Sequence, residues 1–412
     1  MQINFATALF RIELYFVFFG TFLINQLAKS IGQYQAINLF YELLLILIPF
    51  LLIFSAKKVN IIIGMIYAII ILSMSQVAYI GFISGSFLST IFSAVIPFKY
   101  SGLLLLSALV QQEKLILEFR KILNISLSII FVAVGLQLLG FNAFLEFSQP
   151  YQLEDGATKV FRDIDSWDNT AWGLFENQIS LAYFGICTLV FFKYFDKNSR
   201  YRAIKEIACL IIIISTLSLT ALILTGIFYV SRIKTFWIRL IIFASGPFIL
   251  PLLIPLYFSG FDLAYLIEVA RGSRIGIIID ILPSFLTTSN VIELFFGLGP
   301  GKLASDFIYS LNTIPVIFEF SADLAPLEDV YWVALLIYFG LFGLLGYLII
   351  VCAGLLFYKK VDADLFYFYF IMLLFIFLGN FTNQVLSIST FAIFFWFSLT
   401  LLFGEIKNKK IS

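Results

Sequence analysis

The sequence predicts an all-α, polytopic membrane protein, and three observations carry that prediction. Of its 412 residues 61% are hydrophobic and 12% are charged, and the mean hydropathy is +1.02. A soluble domain carries about a quarter charged residues. Apolar runs near the length that a helix needs to cross a bilayer, about 20 residues, recur from end to end. The 50 Phe and 20 Tyr supply lipid-facing bulk and interfacial anchors.

Taken in order, apolar runs predict spans over 7–26, 37–55, 60–83, 87–110, 122–141 and 178–194. The first run has no small-residue cleavage site after it and reads as a retained helix. The run 207–230 fits either one helix or two short ones joined at 215–220, and charge decides between them. Lys57/Lys58, Lys114/Arg120/Lys121 and Lys193, Lys197, Arg200, Arg202 and Lys205 fall on one side of the first six spans. By the positive-inside rule that side is cytoplasmic. Two short spans in 207–230 bring Arg232/Lys234/Arg239, Lys359/Lys360 and Lys407/Lys409/Lys410 to the same side, whereas one span puts them all outside. Two spans are therefore expected, followed by 236–257, 331–357, 365–379 and 385–403. The result is a single integral domain over 1–412 with about twelve spans and both termini cytoplasmic.

Two segments are long enough for work outside the bilayer, 142–177 and the larger 258–330, and both are predicted to be external. Acids outnumber bases in each. A net charge of +1 argues against nucleic acid as a partner. Cys187, Cys209 and Cys352 sit in apolar runs and read as small hydrophobes, so no metal site is expected. There is no histidine, which removes the commonest general base.

Few residues are left to carry chemistry. Arg271 and Arg274 share a face if their surroundings are helical, with Glu268 one turn before. Their guanidinium forks suit phosphate oxygens; an interfacial helix whose arginines pair with Glu268 or meet lipid headgroups fits the same residues equally well. The run Gly297-Leu298-Gly299-Pro300-Gly301 permits a tight turn, or an approach of backbone amides to a ligand. Lys99, between Pro97 and Gly102, falls near the middle of the fourth span. It reads as a cation lining a cavity beneath a pyrophosphate, or as one that snorkels to an interface. Arg11 and Glu13 read as interface anchors. Gly340, Gly343 and Gly346 recur every third residue, as in a helix-packing stripe. Tyr331 and Trp332 fit an aromatic belt. Asn380, Asn383 and Gln384 form a short outer turn, suited to sugars or to helix caps. Glu328 and Asp329 are the leading carboxylates for proton acceptance, with Glu319 and Asp323 next; acids there also complement a helix dipole.

The order of these features carries a resemblance. Arg274 precedes Asn290 and Gly297-Leu-Gly-Pro-Gly301 in a late external loop. Glu328-Asp329-Val330-Tyr331-Trp332 then opens the glycine-marked span Phe339-Gly-Leu-Phe-Gly-Leu-Leu-Gly346. The arrangement resembles the O-antigen polymerase/ligase superfamily and, within it, the Wzy-type polysaccharide repeat-unit polymerases. Arg162 is followed after ten residues by Gly173, a spacing described for some of these polymerases; Leu282 and Phe285 stand where Arg271 and Arg274 would repeat it. The resemblance implies a GT-C-like, metal-independent glycosyltransferase of the bacterial inner membrane, without a cofactor. It would act on undecaprenyl-pyrophosphate-linked oligosaccharides at the periplasmic face, alongside a flippase and a chain-length regulator. Arg271, Arg274, Lys99 and Arg162 would hold pyrophosphate, and Glu328 or Asp329 would serve as base. The ligase branch relies on a loop histidine, which this chain lacks, so polymerase is favoured. A flippase or other secondary transporter of lipid-linked oligosaccharide is the rival reading.

Overall fold

The computed structural model describes residues 2–55, 60–85, 90–91, 94–148, 171–175, 177–197, 199–232, 281–299, 330–381 and 384–411. Every regular element among them is helical. Five helices are long and apolar enough to cross a membrane: Phe5–Ile31, Ile61–Ile83, Gln112–Leu138, Gln178–Phe195 and Tyr331–Phe357. Shorter apolar helices pack among them, and the chain is a helical membrane protein.

The chain opens with α1 (Gln2–Ile31), α2 (Tyr34–Ser55) and α3 (Ile61–Ser84). Next come α4 (Gln112–Leu138), the short α5 (Asn142–Ser148) and α6 (Gln178–Phe195). The centre of the bundle is α13 (Ser389–Ile411), the last helix. Every residue from Phe391 to Phe397 on it is fully buried, as expected of a helix that is apolar all round. Phe397 stacks on Phe119 of α4 at 4.2 Å and on Phe10 of α1 at 5.6 Å, so one aromatic layer joins three helices.

The run 207–230 forms two helices, α7 (Arg202–Ser215) and α8 (Leu219–Ser231). Local chemistry fixes the break. Ser215 and Thr216 hydroxyls donate back to Ile212 and Ile213 carbonyls, Leu217 adopts φ 48°, and Ser218 caps the next helix by accepting from the Ala221 amide. Two contacts show that the pair doubles back. The Ala171 amide donates to the Ser215 carbonyl, near the start of α6. The Arg232 guanidinium lies 5.4 Å over the Tyr194 ring, at the far end of the same helix.

Basic residues therefore gather at one end of the bundle. Lys205 and Arg120 both reach Asp196 (2.7 and 3.5 Å), Lys193 and Arg202 both reach Glu206 (3.3 and 2.7 Å), and Lys197 reaches Asp364. At the opposite end lie α5 and the turn 171–175. Buried Gln137 accepts from the Trp172 and Gly173 amides and donates to Ser148 Oγ and the Gly173 carbonyl. Gly173 takes φ 63°, a conformation that favours glycine, so its place in the sequence is explained by this turn.

Two expectations change here. The predicted span 87–110 is not one continuous helix. Its described part holds two 3₁₀ turns, Ile96–Phe98 and Ser101–Leu105, and one α-turn, Leu106–Leu109. Pro97 lacks a backbone donor, and Gly102 is pressed on Pro49 of α2, whose carbonyl would lie 2.5 Å from any added Cβ. Nor is Tyr331 part of an exposed aromatic belt. It is buried, and its amide donates to the Asn380 carbonyl.

The remaining helices are α9 (Leu282–Thr288), α10 (Val291–Phe296), α11 (Tyr331–Cys352) and α12 (Ala363–Gly379). Asn380 is also fully buried. Its side chain donates to Tyr347 and accepts from the Val385 amide, so it stitches the turn between α12 and α13 and is not open to a sugar.

Candidate functional site

Two breaks in helical structure carry the unusual chemistry. The first lies in α11. Gly340 has φ 65° and ψ −169°, so the helix is interrupted there and nearby carbonyls lose their helical donors. At membrane depth those groups need other partners. The segment that follows α10 supplies them. The Leu298 amide donates to the Ile337 carbonyl (2.7 Å) and the Gly299 amide to the Tyr338 carbonyl (2.9 Å). From α3, the Gln76 amide donates to the Phe339 carbonyl at 3.2 Å and also reaches the Phe296 carbonyl.

Gln76 lies eight residues before the end of α3, and Phe339 eight residues into α11. At 1.5 Å per residue, both sit about 12 Å inside the helix ends. The 290–299 stretch thus re-enters the bundle. Asn290 starts it with a reciprocal capping box. Its side chain accepts from the Glu293 amide at 3.0 Å, and the Glu293 carboxylate accepts from the Asn290 amide at 2.9 Å. Of the glycines expected to approach a ligand or form a loop turn, Gly297 and Gly299 approach their own chain, and Gly301 lies outside the described residues. A Cβ on Gly297 would stand 2.5 Å from the Tyr338 carbonyl. Gly340 is likewise closed against Phe295 and Phe296, so it marks a break and not a smooth packing stripe. Gly346 does pack closely, with Ile69 of α3 2.9 Å from an added Cβ.

Between α3 and this segment is a cavity of about 960 Å³. Ile80, Ile83 and Phe296 give it apolar walls, while Gln76, Asn290 and Glu293 give it polar groups. Tyr79, Val291 and Ile292 at its margin are exposed. A space of this kind suits a molecule with an apolar chain and a polar head.

The second break surrounds Lys99. Its ammonium donates to Glu42 of α2 at 3.1 Å, and its side chain is 2% exposed. Glu13 of α1 is fully buried, lies within electrostatic reach of Lys99, and has no hydrogen-bond partner on either oxygen. The buried Tyr100 stands near Glu13, Glu42 and Tyr41. Lys99 therefore neither snorkels nor stands free; a carboxylate already engages it. Glu13 is no interface anchor, whereas its neighbour Arg11 is half exposed and holds Glu118 at 2.7 Å.

Of the six residues expected to hold pyrophosphate or act as base, Lys99 alone lies among the described residues. Arg162, Arg271, Arg274, Glu328 and Asp329 lie outside the described residues. Sequence reasoning passed over Gln76, Glu42 and Glu293. Each had a signal: Gln76 and Glu42 are polar residues inside apolar runs, and Asn290-x-x-Glu293 is a capping-box spacing. Among the described residues no group of His, Cys, Asp and Glu could hold a metal ion.

Comparison with protein-family models, curated proteins and solved structures returns no match for this chain.

Proposed function

We propose that this protein is a membrane glycosyltransferase that polymerises undecaprenyl-pyrophosphate-linked oligosaccharides, of the Wzy type. The observation that carries the reading is the re-entrant 290–299 segment beside its cavity. It joins apolar walls to the polar groups of Gln76, Asn290 and Glu293, which suits an amphipathic lipid-linked sugar. In this reading the protein has about twelve spans in a GT-C-like bundle and lies in a bacterial inner membrane. Both termini and the basic end face the cytoplasm, and 142–177 and 258–330 serve the periplasmic face. A flippase would deliver its substrate and a chain-length regulator would limit its product.

The chemistry follows from charge. An acceptor sugar hydroxyl attacks the donor's anomeric carbon as the carbon–oxygen bond to pyrophosphate breaks. Glu328 or Asp329 takes the hydroxyl proton. Arg271 and Arg274, with Arg162, stabilise the charge that develops on the departing lipid pyrophosphate. Lys99, whose ammonium Glu42 engages, would join them only by exchanging that partner for pyrophosphate. Purified protein should extend undecaprenyl-pyrophosphate oligosaccharide into a ladder, and Arg274→Ala should abolish it. Unextended substrate with folded protein would overturn the reading.

One observation favours a second reading, a transporter or flippase of lipid-linked oligosaccharide. Transporters place charged groups in discontinuous membrane helices, and Glu13, Glu42 and Lys99 meet at such a break. Movement of substrate across vesicles without extension would support it.

A further inference from the structure

The charge balance around Lys99 is uneven. Two carboxyl groups, Glu13 and Glu42, lie within electrostatic reach of one ammonium, and only Glu42 is ion-paired with it. Glu42 takes the ion pair and keeps 30% side-chain exposure. Glu13 is left fully buried with neither oxygen bonded. An unpaired carboxylate in such surroundings is far costlier than a neutral carboxylic acid.

Other groups around α1 do not relieve it. From α2 come Tyr41, whose hydroxyl donates to the Phe16 carbonyl, and Glu42. The broken segment brings Lys99 and Tyr100. From α4 comes Glu118, held by Arg11 at 2.7 Å and Lys121 at 3.6 Å. From α13 comes the uncharged Ser389, beside Tyr100.

We propose that Glu13 is an exchangeable proton-binding site within the membrane, with Lys99 alternating between it and Glu42. In the loaded state Glu13 is a neutral acid, Lys99 pairs with Glu42, and the three side chains sum to zero. Release of the proton to water leaves a second carboxylate. Lys99 then bridges both acids, and the cluster carries one negative charge. The 3₁₀ geometry on both sides of Lys99 is the element that lets the ammonium shift, since short 3₁₀ turns within a helix commonly act as hinges. The site takes a proton, and it would tie this protein's activity to proton concentration. It stands whether the protein transfers or moves glycans.

The test uses infrared spectra of full-length protein in phosphatidylcholine vesicles. Wild type should show the carbonyl band of a protonated acid, which shifts in D₂O, weakens in Glu42→Gln as Lys99 turns to Glu13, and is absent from Glu13→Gln. The band should fade reversibly as pH rises. On wild type alone, a hydrophobic carbodiimide should modify Glu13, mapped by mass spectrometry, and less so at alkaline pH. A Glu13→Gln spectrum identical to wild type, a band that never titrates, or modification that spares Glu13 would each overturn the proposal.

Discussion

Gly297 and Gly340 meet backbone to backbone: a Cβ on Gly297 would stand 2.6 Å from the Gly340 amide nitrogen. Both have positive φ, 78° and 65°. Two remote glycines thus permit one docking event, in which a re-entrant strand of chain fills the gap in a membrane helix. Gly297→Ala and Gly340→Ala should each suffer twice, through left-handed strain of about 1–3 kcal/mol and through collision with backbone that has no room to move. Each variant should melt well below wild type in detergent. Because the two share one contact, the double variant should fall by less than the sum of the single losses. Full additivity would argue against the docking.

Gln76 tests the same joint without touching glycine. Its amide satisfies the Phe339 carbonyl, which the break deprives of a helical donor. Gln76→Leu keeps the volume and removes the donor. It should cost about 1–3 kcal/mol, the penalty of an unsatisfied buried polar group. Hydrogen exchange at the Leu298 and Gly299 amides should quicken with it. Unchanged exchange and melting would mean that Gln76 is incidental.

How far this was legible depends on what each signal encodes. Hydropathy encodes burial in lipid, so the helical membrane class was plain in the apolar runs. Charge encodes sidedness, so doubling back in 207–230 was readable from Lys193–Lys205 and Arg232 before the Tyr194 contact was seen. Neither signal encodes backbone conformation. The run 87–110 is apolar enough to span, yet Pro97 and Gly102 break it, and a hydropathy count gives them no weight. The Gly340–Gly346 stripe looked uniform because spacing cannot tell a glycine that packs a helix, as Gly346 does, from one that interrupts it. Glu13 looked like its exposed neighbour Arg11, since the faces of α1 are set by what packs on them. Arg271, Arg274 and the carboxylates Glu328 and Asp329 lie outside the described residues, so their pairing rests on sequence.

Sidedness gives a direct prediction. Ser231 ends α8 beside Arg232, at the same end as Lys197. Single cysteines in place of Ser231 and Lys197 should react with an impermeant thiol reagent from the same face of sealed vesicles. A cysteine replacing exposed Phe147, near Gln26 and Lys29, should react from the other face. Opposite labelling of Ser231 and Lys197 would contradict the doubling back.

The Lys99–Glu42 pair yields the last prediction. Removing one partner of a buried pair strands the other, which typically costs about 3–5 kcal/mol. Glu42 keeps partial exposure, so Lys99→Met should fall at or below the low end of that range. Glu42→Gln should cost less, because Glu13 stays within reach of the ammonium. The double variant Lys99→Met/Glu42→Gln removes both charges together. It should recover most of the stability lost in Lys99→Met, since replacing a whole buried pair by uncharged groups is often close to neutral. Melting of the four proteins in one detergent measures the coupling. A double variant less stable than Lys99→Met would mean that Glu42 stabilises the fold without Lys99, and that the ion pair does not hold this break together.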